Sequence, residues 1–222
     1  MRSRNIALCL SVVISASMSP PVFAATARVI DGDTLEIAGV TYRLHGVDAP
    51  EAGQTCEKKG GGKWACGKAA IAAMEDLVAN GVSCDDRGGT DLYGRTIGVC
   101  VNGDGKDVNA RMIETGNAWA FRKYSTDYAD KEDDAHKSGI GVWQAKTEAP
   151  WDYRAHKWDV AKQDAPSGCP IKGNISKQGN IYHTPWSPWY AKTTVNVGHG
   201  ERWFCSEEEA VKAGWRAPTW GR

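Results

Sequence analysis

The stretch from Ile30 to Glu51 constrains this chain more than any other. It holds two short runs that alternate apolar and polar side chains, Leu35 to Ile37 and Tyr42 to Val47. The turn formers Asp31-Gly32-Asp33 and Gly39 punctuate them. Alternation between such turns marks half-buried strands joined as hairpins. With the apolar segment Ala27 to Ile30, three meandering strands are expected before residue 48. Four carboxylates, Asp31, Asp33, Asp48 and Glu51, stand at the ends of these runs, with Arg43 between them. Hard oxygen donors beside an arginine suit a divalent cation and a phosphate. Simple alternation puts Arg43 and Asp48 on opposite faces, so a shared site requires the strand to end or twist near Gly46.

Further along, residues 52–64 are rich in Gly and Lys and lack periodicity, which reads as a loop. Lys68 to Asn80 reads as a helix with Ala70, Ile71, Met74, Leu77 and Val78 on one face, stopped by Asn80-Gly81. Val82 to Cys84 is expected as a fourth strand, Arg87 to Asp91 as a polar loop, and Arg95 to Val101 as a fifth strand. Ile97, Val99 and Val101 should face the core, leaving Cys100 to meet Cys84 on the other side. Asp107 is expected to cap a helix ending near Thr115, and Asp127 another ending near Ser138, closed by Gly116 and Gly139. Pro150 suits the first turn of a helix over 150–163, with Trp151, Arg154, Ala155 and Trp158 on one side. Ala165 to Gly168 reads as a linker. Strands at 173–176, 180–183 and 202–205 should precede a helix opened by the capping pair Ser206 and Glu209 and closed by Gly214.

The formal charge is zero over 222 residues. No global basic field marks a nucleic-acid binder, and any polyanion must be held by local groups. Residues 1–24 read as an export signal: Arg2 and Arg4, then an apolar stretch from Ile6 to Met18 too short to span a membrane, then Val22-Phe23-Ala24 before a cleavage point. Removing them leaves a net charge of −2. An exported chain retains Cys56, Cys66, Cys84, Cys100, Cys169 and Cys205, an even set for an oxidising compartment. None are spaced C-x-x-C, which disfavours zinc. Six cysteines allow fifteen pairings; locality favours Cys56–Cys66, Cys84–Cys100 and Cys169–Cys205.

Ile-Asp-Gly-Asp-Thr at 30–34, Tyr-Arg-Leu-His-Gly-Val-Asp-Ala-Pro-Glu at 42–51 and Asp-Leu-Tyr-Gly-Arg at 91–95 resemble, in this order, the three motifs of the thermonuclease family typified by staphylococcal nuclease. The resemblance runs from Thr26 to about Trp143. It implies an α+β fold: a five-stranded OB-fold β-barrel with three or more helices. It implies calcium-dependent hydrolysis of DNA or RNA, with a single-stranded or flexible substrate. Carried over by motif, Asp33, Asp48 and the backbone carbonyl of Ala49 would hold Ca²⁺. Glu51 would activate water, and Arg43 and Arg95 would grip the phosphate. Asp31 is a candidate outer carboxylate, and Tyr93 and Tyr124 are candidates for substrate contact. Arg122 and Leu92 replace an aromatic and a lysine of the family pattern, which alters the substrate pocket. His45 reads as a packing or loop residue rather than a ligand.

Each motif residue has a bland reading when taken alone: turn aspartates are usually structural, and a lone arginine is usually a surface ion pair. The set together is what points to chemistry. Residues 166–222 lie outside the resemblance and read as a small disulfide-stapled α+β module. Its last strand–helix piece is similar to part of the methylphosphotriester-repair DNA-binding domain, without that domain's zinc cysteines. The expected organisation is a signal over 1–24, a nuclease-like domain over 25–165 and the module over 166–222. The chain should be a periplasmic or secreted monomer with no stable membrane insertion, its module free to contact an envelope component. The competing readings are an OB-fold binder of nucleic acid or another polyanion, and an envelope- or polysaccharide-associated protein with a nuclease-like domain.

Overall fold

A computed structural model of the chain describes residues 25–218; the expected export signal lies outside the described residues. The expected meander is present as β1 (Ala27–Val29), β2 (Thr34–Ile37) and β3 (Val40–Leu44), paired antiparallel in turn. The run from Tyr42 to Val47 is not one strand. It breaks at Gly46, whose φ of +67° is open to glycine without strain. The chain then restarts as β4 (Val47–Asp48), which pairs with β9 (Trp119–Ala120) in a separate sheet.

The large sheet has the order β1-β2-β3-β8-β7. Its fourth and fifth members are β8 (Thr96–Asn102) and, at the edge, β7 (Val82–Thr90). β3 and β8 run parallel, with Arg43 opposite Ile97. That pairing draws residues 91–95 towards the Ile30–Glu51 stretch. Paired hydrogen bonds between Ala25 and Val82, 3.0 and 3.2 Å, link the chain before β1 to the start of β7.

Two expectations about these strands are corrected. Residues 87–90 are not a loop but the end of β7, carried through a register shift between Asp86 and Thr90. The faces of β8 are inverted: Gly98 and Cys100 point inward, while Val101 is 37% exposed. Space decides this. A Cβ on Gly98 would lie 2.9 Å from the Tyr42 ring, so only a small residue fits on the inner face there.

The helix α1 (Cys66–Val78) buries Ala70, Ile71, Met74 and Val78 against the sheet. The helix α2 (Val108–Glu114) starts at Asp107, whose side chain accepts the Ala110 N–H. The helix α3 (Ala129–Ser138) ends at Gly139 as expected, but its cap is Tyr128. Asp127 instead pairs with His45 Nε2 at 3.0 Å. The Gly- and Lys-rich stretch carries a small hairpin, β5 (Cys56–Glu57) and β6 (Lys63–Trp64).

The helix α4 (Pro150–Asp164) leads into β10 (Ile171–Ser176), β11 (Gly179–His183) and β12 (Arg202–Phe204), ordered β11-β10-β12. The helix α5 (Glu207–Lys212) follows, with Ser206 Oγ accepting the Glu209 N–H. This region has its own small core of Ile171, Tyr182, Phe204, Ala210 and Trp215. Among the described residues no helix is long and apolar enough to cross a membrane.

All three locally favoured disulfides form: Cys56–Cys66, Cys84–Cys100 and Cys169–Cys205. Cys84 and Cys100 are 16 residues apart in sequence, so their bond removes denatured-state freedom worth about 3 kcal/mol. Replacing both by Ala is expected to lower unfolding free energy by that order, read as a lower urea midpoint. An unchanged midpoint would contradict it.

Candidate active site

The turn from Asp31 to Asp33, the end of β3 and the segment from β4 to Glu51 converge. Antiparallel pairing sets Thr34 beside Arg43, and the Leu44 N–H donates to the Asp33 carbonyl at 2.8 Å. The break at Gly46 then turns Asp48 back towards Arg43. The guanidinium of Arg43 forks between the two acids: Nη1 donates to Asp33 Oδ1 at 2.7 Å and Nη2 to Asp48 Oδ1 at 3.1 Å. Asp33 is 3% exposed and Asp48 0%. The convergence that simple alternation argued against is therefore present, and the turn at Gly46 is its cause.

Asp33 is saturated with donors. Besides Arg43, its Oδ1 accepts Thr34 Oγ1 and its Oδ2 accepts the Ala49 N–H at 3.0 Å. Burial acts to raise this acid, but Arg43, the Ala49 N–H and Arg95 outweigh it and hold Asp33 below the usual carboxylate range. Asp31 behaves oppositely. Burial, then the adjacent Asp33 charge, push it up to about 7. Its Oδ1 accepts the Asp33 N–H, which fixes the turn.

Glu51 is pushed up to about 8 by burial, against the pull of Arg154. Its backbone is clamped: the Gln54 N–H donates to the Glu51 carbonyl at 2.7 Å, and Gln54 Oε1 accepts the Glu51 N–H at 3.1 Å. Gln54 is itself buried and ties to the Glu148 carbonyl at 2.8 Å.

Arg95 arrives just before β8. Asp91 Oδ2 holds it at 2.7 Å, its Nη1 reaches Thr34 Oγ1 at 3.4 Å, and its guanidinium lies 5.1 Å from the Tyr93 ring centroid. Tyr124 is 72% exposed and meets Phe121 edge-on at 4.8 Å. Arg122 pairs with Glu132 and Asp133 on α3, away from these acids. All of the candidate site residues except Asp48 line one cavity of about 980 Å³. Residues of the C-terminal region, among them Tyr182, Trp186 and Glu207, line its far wall.

Sequence reasoning missed Arg154. It placed this residue only on a helix face beside Trp151 and Trp158. The available signal was a charged residue interrupting that aromatic row at helical spacing. Arg154 Nη2 donates to Asp48 Oδ2 at 2.7 Å, and Nη1 donates to Asp48 Oδ1 at 3.0 Å and Glu51 Oε1 at 2.8 Å.

Among the described residues no three His, Cys, Asp or Glu side chains form a ready cation cage. The donor chemistry nevertheless fits a hard divalent cation. Two buried carboxylates lie within the span of one guanidinium, and the groups now meeting their charge are themselves cations.

The family description "Staphylococcal nuclease homologue" matches residues 41–145, and a second description, "ArfC", matches 151–217. α4 thus falls almost wholly in the second match. The chain is 38% identical over 154 residues to the succinoglycan biosynthesis protein ExoI of Rhizobium meliloti (strain 1021), covering 66% of this chain and 78% of that one. It is 33% identical over 137 residues to an uncharacterized endonuclease of Escherichia coli, covering 59% and 83%. It is 28% identical over 179 residues to a micrococcal nuclease of Shigella flexneri, covering 73% and 94%. Shared identity across most of these relatives, with the matched nuclease region, makes this chain a member of the thermonuclease family of staphylococcal nuclease homologues.

Proposed function

We propose that this protein is an exported, calcium-dependent nuclease that hydrolyses phosphodiester bonds of DNA or RNA. The observation that carries the reading is the Arg43 fork across buried Asp33 and Asp48, with Glu51 and Arg95 at the same cavity. A binder has no need for that arrangement. Nucleases of the family are generally metal-dependent. Asp33, Asp48 and the carbonyl of Ala49 would hold Ca²⁺, which supplies positive charge to the phosphodiester oxygens and acidifies water.

The protein's own groups do the rest. A phosphodiester is anionic and resists hydroxide, so charge must be neutralised before attack. Arg95, held by one carboxylate, and Arg43, shared by two, carry planar guanidinium forks of the kind that suits phosphate oxygens. Their charge favours the more anionic transition state over the ground state. Glu51 orients water and, when ionised, accepts its proton; burial makes it a stronger base than an exposed carboxylate, and its ionised fraction grows as the pH rises towards about 8. Tyr93 and Tyr124 flank the cavity as contacts for unstacked bases, which suits a single strand.

The test is digestion of single-stranded DNA and RNA by the chain beginning at Ala25, in Ca²⁺ and in chelator. Cleavage in Ca²⁺ that chelation abolishes is expected. Equal cleavage in both would remove calcium from the reading. Retained DNA binding without any cleavage would favour the binder.

A further inference from the structure

Arg154 comes from outside the region matched as a nuclease, yet it occupies the middle of the acidic cluster. Both oxygens of Asp48 face guanidinium N–H groups: Oδ1 accepts from Arg43 and Arg154, and Oδ2 accepts from Arg154. A cation that takes both oxygens of Asp48 as ligands must displace at least one of these donors, because three N–H groups already occupy them. Two positive charges oppose its approach, and in a largely buried setting little solvent screens them.

Of the two arginines, Arg154 is the one free to leave. Arg43 sits on β3, hydrogen-bonded to strands on both sides, and it also serves buried Asp33. The Arg154 side chain is 24% exposed, and it lines the open cavity. Its helix is pinned on either side. Trp151 stacks on Phe121 at 5.6 Å and 11°, and Trp158 packs against the core of the C-terminal region. The side chain can therefore swing while α4 stays in place. Glu207 of α5 lines the same cavity, where Tyr182 Oη donates to it at 3.0 Å, so the cavity holds a further acid besides the two that Arg154 now meets.

We propose that Arg154 is the group a divalent cation exchanges with at Asp48 and Glu51, so that the C-terminal region sets the cation affinity of the nuclease site. Arg154 is a positioning residue: it holds Glu51 and Asp48 in place until the exchange and acts on the reaction through them. The inference rests on the reading of Asp48 as a cation ligand.

Calorimetric titration of the full mature chain with CaCl₂ tests it, in wild type, Arg154→Gln, Arg154→Lys and Asp48→Asn. Arg154→Gln is expected to bind Ca²⁺ at least about tenfold tighter than wild type. Arg154→Lys, which keeps the charge but loses the fork, should tighten less, and Asp48→Asn should weaken binding. Equal Ca²⁺ affinity in wild type and Arg154→Gln, with Asp48→Asn still weakened, overturns the role of Arg154 and spares the cation site. No Ca²⁺ binding by any chain overturns both. The wild-type chain gives a second readout: the Arg154 side-chain Nε–H resonance, assigned by its loss in Arg154→Lys, should shift as Ca²⁺ saturates. A resonance that stays fixed at saturation also overturns the proposal, whether or not Arg154→Gln folds.

Discussion

Glu51→Gln is expected to slow phosphodiester cleavage about 10²–10⁴-fold, the usual contribution of a positioned general base, while single-stranded DNA remains bound. The substitution is nearly isosteric. A glutamine carbonyl oxygen still accepts from Arg154 Nη1, as Glu51 Oε1 does at 2.8 Å. The backbone clamp through Gln54 does not involve the changed atoms. What disappears is the capacity to take a proton from water. Arg43 and Arg95, the groups expected to grip phosphate, are untouched. The loss should therefore fall on the chemical step, read by single-turnover cleavage in Ca²⁺. Binding, read by fluorescence anisotropy of a labelled oligonucleotide, should change little. A Glu51→Gln rate within about threefold of wild type would assign the base elsewhere. Asp31 would then be the next candidate, since burial also keeps it weakly acidic.

The sequence made the parts of this site legible but not their assembly. Short strands between Asp31-Gly32-Asp33 and Gly39 were readable because alternation and turn glycines act locally. The meeting of Arg43 with Asp48 was not, because it depends on one positive-φ residue, Gly46, swinging the chain into a second sheet. β8 misled for a related reason. Its residues from Ile97 to Val101 are apolar or small on both faces, so alternation offers no preference, and the inner side was decided by the Tyr42 ring beside Gly98. The polar run at 87–90 hid an edge strand whose register shifts around Gly88 and Gly89, both at positive φ. Asp127 looked like a helix cap by spacing, yet its side chain is engaged by His45, a residue far away in sequence. Arg154 is the extreme case. Its partners lie 103 and 106 positions earlier, and only the packing of Trp151 and Trp158 at either side of it brings it there.

Gly67→Ala should destabilise the protein and also impair catalysis, although helix propensity alone predicts the opposite. Gly67 is the second residue of α1, and an alanine in a helix is ordinarily worth about 0.5–1 kcal/mol over glycine. Here the first turn of α1 is pressed against the Glu51 segment. A Cβ on Gly67 would lie 1.8 Å from the Glu51 carbonyl oxygen and 2.6 Å from its carbon. Both are backbone atoms, so no side chain can rotate away. The same carbonyl accepts the Gln54 N–H at 2.7 Å, and the Gly67 N–H donates to the Gln54 carbonyl at 3.3 Å. Relief of the clash must therefore move Glu51, disrupt its turn, or lift α1 from the core. Overpacking of this kind costs about 1–3 kcal/mol and occasionally more. A shift of the proposed general base by about 1 Å costs on the order of 10² in rate. The two effects separate by measurement: a urea midpoint below wild type reports the strain, and single-turnover cleavage of the fraction still folded reports the displaced carboxylate. A Gly67→Ala protein as stable as wild type or more so, cleaving at the wild-type rate, would show that the Glu51 turn does not depend on this close approach.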